Sequence, residues 1–399
     1  MKYPLLKDAK PEGKKVFLRA DLNVPLEEGR VADDTRIRGV LPTMRYLLDK
    51  GAALVVASHL GRPGGSSDPS LSLAPVAERL QELLGRRVIF APDCIGARVK
   101  TLASSLEPGT VLLLENLRFH SEEKEGDGEF AAELADLADV YVNDAFGTSH
   151  RDHASMTGIP RVLGGGFAGL LVQKELEVFG EMLGDPRHPF TLLLGGAKVS
   201  DKIPVIDNLI SKLDNILIGG GMAFTFMKRA GMEIGKSLLE QDRLDAAGSI
   251  MSHAGEMDVK VLLPVDVVVA PDMDSPEQAK TVPADSIPTG MAGLDIGPKT
   301  VSRFADVVRN SSTVVWNGPM GVFEVPPFDE GTRGVAQAMA EAADNKVTTV
   351  VGGGDSVRAV TEAGLENRIT FVSTGGGASL KLLQGEELVA LKALRGGLE

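Results

Sequence analysis

The stretch TLLLGGAKVSDK, residues 191–202, sets the reading of the whole chain. Residues 191–194 are β-branched or apolar, and they run straight into Gly195-Gly196 and then to Lys198 and Lys202. An apolar run without in–out alternation suits a strand buried on both faces. Glycine directly after such a strand lets the backbone turn tightly and bring its amides close to a ligand. The four-residue spacing predicts that Lys198 and Lys202 share one face at the start of a helix. Two like charges held together serve structure poorly unless an anion lies between them, so the loop reads as a polyphosphate clamp, with plain surface solvation of the two lysines as the alternative.

The pattern recurs outward from this stretch, as LIGGGMA (217–223), VVWNGPMG (314–321), VVGGGDS (350–356) and FVSTGGGAS (371–379). In open α/β sheets, ligands sit beyond the carboxyl ends of the strands, where these loops fall. Five such loops favour a nucleotide over a set of plain turns. Asp355, after Gly352-Gly353-Gly354, is either a helix N-cap or the single carboxylate of a Mg²⁺ that keeps most of its waters. The phosphate-loop signature is missing, since the string from Gly231 to Ser237 is one residue too short and follows a helical pattern. A literal G-x-G-x-x-G at Gly164, Gly166 and Gly169 follows a Pro-containing segment without a βαβ frame, and it reads as a hinge rather than a dinucleotide site.

Strands are predicted at 16–19, 54–57, 88–90, 111–114 and 140–143, with helices near 35–50, 73–84 and 129–137. Pro42 predicts that the first helix starts late or kinks. A second series of strands lies at 191–194, 215–218, 266–269, 313–316, 348–351 and 370–372. Alternating β and α elements in two series predict an α/β fold: two doubly wound parallel-sheet, Rossmann-like domains joined by a hinge helix. The boundaries fall at 1–170, a hinge helix at 171–185 that ends at Gly184-Asp185-Pro186, and 186–385. The acidic patch 122–129 reads as a solvated loop or helix start.

At 399 residues, with 42 basic and 55 acidic side chains, the chain carries a net charge of −13. Strong acidity with few aromatics argues against a nucleic-acid partner. A single cysteine, Cys94, excludes an intramolecular disulfide and suits a reducing compartment. No apolar run approaches bilayer-spanning length, so a cytoplasmic protein without a membrane partner is expected. The charge is uneven: residues 1–171 hold 21 basic against 24 acidic groups, with Arg outnumbering Lys 13 to 8. Arg suits phosphate and carboxylate, and here it recurs at strand ends. RADLNVP (19–25), Arg36 and Arg38, SHLGRP (58–63), ENLRFH (115–120) and GTSHRDH (147–153) put four or five cations on one rim. Asp21 and Asn23 could meet a hydroxyl of a small phosphate- and carboxylate-bearing molecule. His150 and His153 have metal-like spacing, but no third protein ligand is evident. No nucleophile–base pair appears at these loops.

In this order, RADLNVP (19–25), SHLGRP (58–63), LENLRF (114–119), GGAKVSDK (195–202), IGGGMAFTF (218–226), WNGPMGVFE (316–324), GGGDS (352–356) and STGGGASL (373–380) resemble the phosphoglycerate kinase family along essentially the entire chain. The resemblance implies an N-domain for 3-phosphoglycerate or 1,3-bisphosphoglycerate and a C-domain for Mg-ADP or Mg-ATP. It implies closure about the hinge, a C-terminal tail (386–399) returning to the N-domain, and a glycolytic, cytoplasmic, monomeric kinase. The tail lacks the expected Pro-Gly, and Lys381 stands where an acidic residue is commoner. By this resemblance, Asp21, Asn23, Arg36, His59, Arg62, Arg118 and Arg151 would hold the triose. Lys202 would contact nucleotide phosphates, Glu324 the ribose and Asp355 the Mg²⁺, with Gly353, Gly354 and Ser356 around it. Gly219, Gly220, Gly221 and Gly293 would border the adenine. Lys198, Arg36 and the amides of Gly375, Gly376 and Gly377 would surround the phosphoryl group in flight. Two other classes are set against this reading: a nicotinamide dehydrogenase using the Gly164 string, and a nucleotide-binding module without turnover.

Overall fold

The computed structural model describes residues 3–396. They form two compact units, one within Met1–Glu177 and Glu387–Glu399, the other Val178–Glu386. The helix Leu170–Gly184 contains the boundary, which falls midway along it.

The first unit is built on a six-stranded parallel sheet. Its spatial order is Val88–Phe90, Val111–Leu113, Ala53–Ala57, Lys15–Ala20, Val140–Asp144 and Phe167–Ala168. The inner strands are buried on both faces, as unbroken apolar runs require, and one face packs on Ile37, Val40, Met44 and Leu47 of the helix Thr35–Asp49 and on Val76 and Leu80 of Ala74–Leu84. The first helix runs unbroken through Pro42 rather than starting late. Burial of Leu41, Thr43 and Met44 beside it offsets the hydrogen bond that proline cannot make. The chain begins at the central strand, fills one side, and resumes on the other side at Val140–Asp144. At that reversal the register sets Arg19 level with Ala57 and Asn143, so Asp21, His59 and Asp144 leave the sheet together.

The glycines at 164–169 lie in this unit and not in the connection between units. Phe167–Ala168 is an edge strand paired with Val142–Asn143. A Cβ on Gly166 would stand 2.6 Å from the Tyr141 ring, and one on Gly169 2.2 Å from Asp144 Oδ1. Close packing therefore accounts for Gly166 and Gly169, and a left-handed backbone, φ +75°, for Gly164. The tail reaches the same region, where Gly166 N–H donates to the Leu394 carbonyl at 3.0 Å. Tail residues Leu388, Ala390, Leu391 and Leu394 are buried, and Arg395 pairs with Glu387 while lying over the Tyr3 ring. Residues 397–399 of the predicted tail lie outside the described residues.

The second unit holds another parallel six-stranded sheet, ordered Lys260–Leu262, Asn215–Ile218, Phe190–Leu194, Thr313–Asn317, Thr348–Gly352 and Phe371–Val372. Numbered along the chain this is 3-2-1-4-5-6, the doubly wound order with its switch point between the first and fourth strands. The register pairs Asn317 with Leu194 on one side and Gly352 on the other. Three glycine loops therefore leave the sheet side by side. One predicted strand belongs elsewhere: Asp266–Ala270 is the centre of a separate antiparallel sheet with Lys280–Pro283 and Ala292–Ile296. Its valines look like a parallel strand, but no α-helix separates them from the next strand, only the short 3-10 turn Pro276–Gln278. The turn at 272–278 brings the chain back alongside, which a parallel crossover could not do.

Candidate functional site

In the second unit the switch point opens into a cavity of about 600 Å³. Lys198, Lys202, Gly353, Gly354, Asp355, Ser356, Gly376 and Gly377 line it, together with Asp201 and Asn317. The loops can meet because glycine allows it. Gly318 has φ +99°, and a Cβ there would stand 2.2 Å from the Gly195 carbonyl oxygen.

The two lysines do not share a helix face as predicted. The helix starts only at Ile203, so both belong to the preceding loop. Lys202 is buried and donates to Asn317 Oδ1, and burial holds its ammonium below the usual lysine range despite Asp201 and Asp355 nearby. Lys198 is exposed at the cavity rim. Glu240 shapes this loop by accepting from the amides of Val199 and Ser200 and, at 2.9 Å, from Ser200 Oγ. Sequence reasoning missed Glu240, which stands 38 residues beyond Lys202 without a motif around it.

The cavity is built to receive negative charge. Asn317 spends its oxygen on Lys202, and its Nδ2 donor is buried without a partner. Asp355 is exposed in the first turn of the helix Gly354–Glu362, whose N-cap is Gly353 at φ +89°. Mg²⁺ on a nucleotide needs only one or two protein carboxylates beside phosphates and waters, so this donor set fits it. Ser356 has a structural duty as well, its buried Oγ accepting from Gly318 N–H at 2.6 Å.

Other predicted residues stand outside the lining. Gly220 packs on Gly196, and Gly221 lies against Ala197. A Cβ on Gly219 would stand 2.5 Å from Met320 Sδ, and one on Gly293 2.1 Å from the Phe224 ring. Glu324 pairs with Arg358 at 3.1 Å. The Gly375 amide is already committed to Ser373 Oγ at 3.1 Å.

In the first unit the predicted residues converge at the other switch point. Arg36 pairs with Asp21 at 2.5 Å, and Asn23 Oδ1 accepts from Gly61 N–H at 2.9 Å. Arg118 is buried; one Nη donates to the Gly61 carbonyl at 2.7 Å, and its Nε has no partner. Burial and then the charge of Arg151 lower its guanidinium to about 10. Arg151 is likewise lowered, by burial and then by Arg62. Arg62 is exposed. His59 is buried, and burial followed by the charges of Arg19, Arg118, Arg151 and Arg36 holds its ring well below the usual histidine range. Arginines that depress one another are poised for a polyanion, which would relieve their repulsion.

Two residues of this region escaped sequence reasoning. Arg19 is almost fully buried, although in the sequence it stands only as the start of a motif. Glu123, inside a patch read as solvated, is completely buried against Ser155. Asp93, Cys94 and His120 come within 4.8 Å of one another, and neither His150 nor His153 joins a metal-ligating group among the described residues. No described helix is long and apolar enough to cross a membrane.

The family model described as Phosphoglycerate kinase matches residues 6–386. The cytosolic phosphoglycerate kinase of Triticum aestivum is 52% identical over 390 residues, covering 98% of this chain and 97% of its own. That of Chloroherpeton thalassium is 51% identical, with 99% of each chain covered. Among solved structures, the phosphoglycerate kinase of Coxiella burnetii matches with a TM-score of 0.87 at 38% identity, over 98% of this chain and 99% of that one. The Pyrococcus horikoshii OT3 enzyme matches with a TM-score of 0.80 at 32% identity, over 98% of each.

Proposed function

Because this chain belongs to the phosphoglycerate kinase family, and so reversibly transfers a phosphoryl group between 1,3-bisphosphoglycerate and ADP in glycolysis, we propose that the two switch-point clusters divide its substrates between them. The first unit takes the triose, through Asp21, Asn23, Arg36, His59, Arg62, Arg118 and Arg151. The second takes the nucleotide. Lys202 meets its phosphates, Gly353, Gly354 and Ser356 surround them, and Asp355 holds Mg²⁺. Gly219, Gly220, Gly221 and Gly293 border the adenine, and Glu324 meets the ribose. The observation that carries this reading is the cavity of about 600 Å³ where two lysines, two carboxylates and four glycine loops converge.

The chemistry asks for little else. The anhydride of 1,3-bisphosphoglycerate gives its phosphoryl group to the β-phosphate of ADP, and in reverse the attacking oxygen is a carboxylate that is already ionised. No general base is needed, in keeping with a site made of cations and amides. What remains is in-line positioning, charge neutralisation and exclusion of water. Mg²⁺, when bound, offsets phosphate charge. Lys198, Arg36 and the amides of Gly376 and Gly377 serve the moving group; the Gly375 amide is a weaker candidate because Ser373 already occupies it. The helix Leu170–Gly184 is the proposed hinge about which the units close for transfer. A cytoplasmic location is the further expectation, supported by the lone cysteine and by a relative named as cytosolic, and a monomer is expected beside it from the family resemblance alone.

Calorimetric titration tests the division of substrates. Asp355→Asn and Lys202→Ala should each weaken Mg-ADP binding by about tenfold or more and leave 3-phosphoglycerate binding unchanged, with the opposite outcome for Arg118→Ala. Equal losses for both ligands in every variant would overturn the assignment.

A further inference from the structure

Beneath the arginines of the first unit lies a buried chain of hydrogen bonds. Arg19 Nε donates to Ser155 Oγ at 2.9 Å, one of its terminal nitrogens donates to the Ala20 carbonyl, and the other lies 3.2 Å from His59 Nδ1. Ser155 Oγ lies 2.6 Å from Glu123 Oε1, and the Ser155 amide donates to Glu123 Oε2 at 2.9 Å. The Tyr141 hydroxyl fixes the Ser155 carbonyl from the other side at 2.8 Å. Arg19, Ser155 and Glu123 are each 1% exposed or less, and His59 is 4% exposed.

The direction of every bond is forced. A guanidinium has only donors and stays charged, so its bond to His59 must end on a ring lone pair. Nδ1 is therefore the acceptor, and the single ring proton sits on Nε2. The Ser155 lone pair faces Arg19, so its hydroxyl proton goes to the Glu123 carboxylate. An imidazolium at His59 would point a second N–H at the guanidinium, a like charge without an acceptor.

We propose that Glu123, Ser155 and Arg19 form a buried positioning relay that locks His59 as the neutral Nε2–H tautomer, giving the triose site a directed uncharged donor beside its arginines. The proposal rests on the reading of this cluster as the triose site. It makes the three relay members positioning residues that act through the ring. A neutral donor adds directionality without further loading a cluster whose arginines already repel one another.

Long-range ¹H–¹⁵N spectra of the full, ¹⁵N-histidine-labelled chain test the tautomer without reference to turnover. The expected result is an unprotonated Nδ1 and a protonated Nε2 for His59 in the free protein. A protonated Nδ1, or two protonated nitrogens, would overturn the proposal. Ser155→Ala, which removes one hydroxyl and little volume, should mix the two tautomers and raise KM for 3-phosphoglycerate by about five- to tenfold, with KM for ATP unchanged and kcat within about twofold. A KM that stays put, or a rise shared with ATP, would also overturn it. Should this variant not fold, the tautomer of the unaltered protein decides alone. If the unaltered protein failed to bind 3-phosphoglycerate at all, the triose assignment would fall while the tautomer result stood.

Discussion

At the scale of single residues, charge placement rather than charge count carries the chemistry. If Arg36 and Lys198 meet the phosphoryl group in flight, Arg36→Ala or Lys198→Ala should lower kcat by about two to three orders of magnitude without unfolding the chain. Near-normal turnover with an unchanged circular dichroism spectrum would contradict that role. Asp144 offers a test of a different kind. Its Oδ1 accepts from the Leu171 amide at 2.9 Å, its Oδ2 is buried without a partner, and burial raises the carboxyl from 3.8 to about 7. The folded value lies above the unfolded one, so the proton is lost from the unfolded chain first as pH rises. The stability carried by the protonated form is complete below about pH 4, declines to about pH 7 and is absent above. Asp144→Asn should therefore lose less stability than the parent between pH 5 and pH 8, by at least about 1 kcal/mol in urea denaturation. Identical pH dependence in both proteins would refute this. The residues that were legible in the sequence are those that leave strand ends in motifs, such as His59 and Asp355. Arg19, Glu123 and Glu240 were not, because a charged side chain in an apolar strand or an acidic patch shows its partner only after folding.

At the scale of elements, loops that cross at the switch point depend on atoms that are missing from glycine. Gly318→Ala would put a methyl carbon 2.2 Å from the Gly195 carbonyl at a residue with φ +99°. Loss of Mg-ADP binding with retained 3-phosphoglycerate binding is the expected outcome, and unimpaired nucleotide binding would show that the loops can part freely. Helix starts give a milder case. Asp127 caps the helix Gly128–Ala135 by accepting from Phe130 N–H at 2.8 Å, so Asp127→Ala should cost about 1 kcal/mol of unfolding free energy and leave kcat alone. Apolar runs gave eleven strands' positions but not their partners. The run at Asp266–Ala270 looked like its neighbours and pairs antiparallel, since only the connection that follows a strand decides its direction. Short edge strands such as Lys260–Leu262 and Phe167–Ala168 carried too few residues for a pattern.

At the scale of the whole molecule, one unit is continuous in sequence and the other borrows the tail. Leu388, Leu391 and Leu394 are each at most 1% exposed. Removing residues 388–399 should therefore destabilise the first unit by upwards of about 4 kcal/mol and leave Mg-ADP affinity intact. Unchanged denaturation would mean the tail contributes nothing to that unit. The net charge of −13 has a comparable division of meaning. An acidic chain that handles polyanions cannot rely on bulk attraction, so binding falls to local arrays of arginine, lysine and backbone amide. If such arrays, with Mg²⁺ on the nucleotide, suffice for transfer, neither a protein base nor a protein nucleophile takes part. The most direct test is ATP formation from ADP and 1,3-bisphosphoglycerate by the unaltered protein, with and without Mg²⁺. Turnover that requires Mg²⁺ is the predicted result, and no ATP with Mg²⁺ present, or equal turnover without it, would rule out such a site.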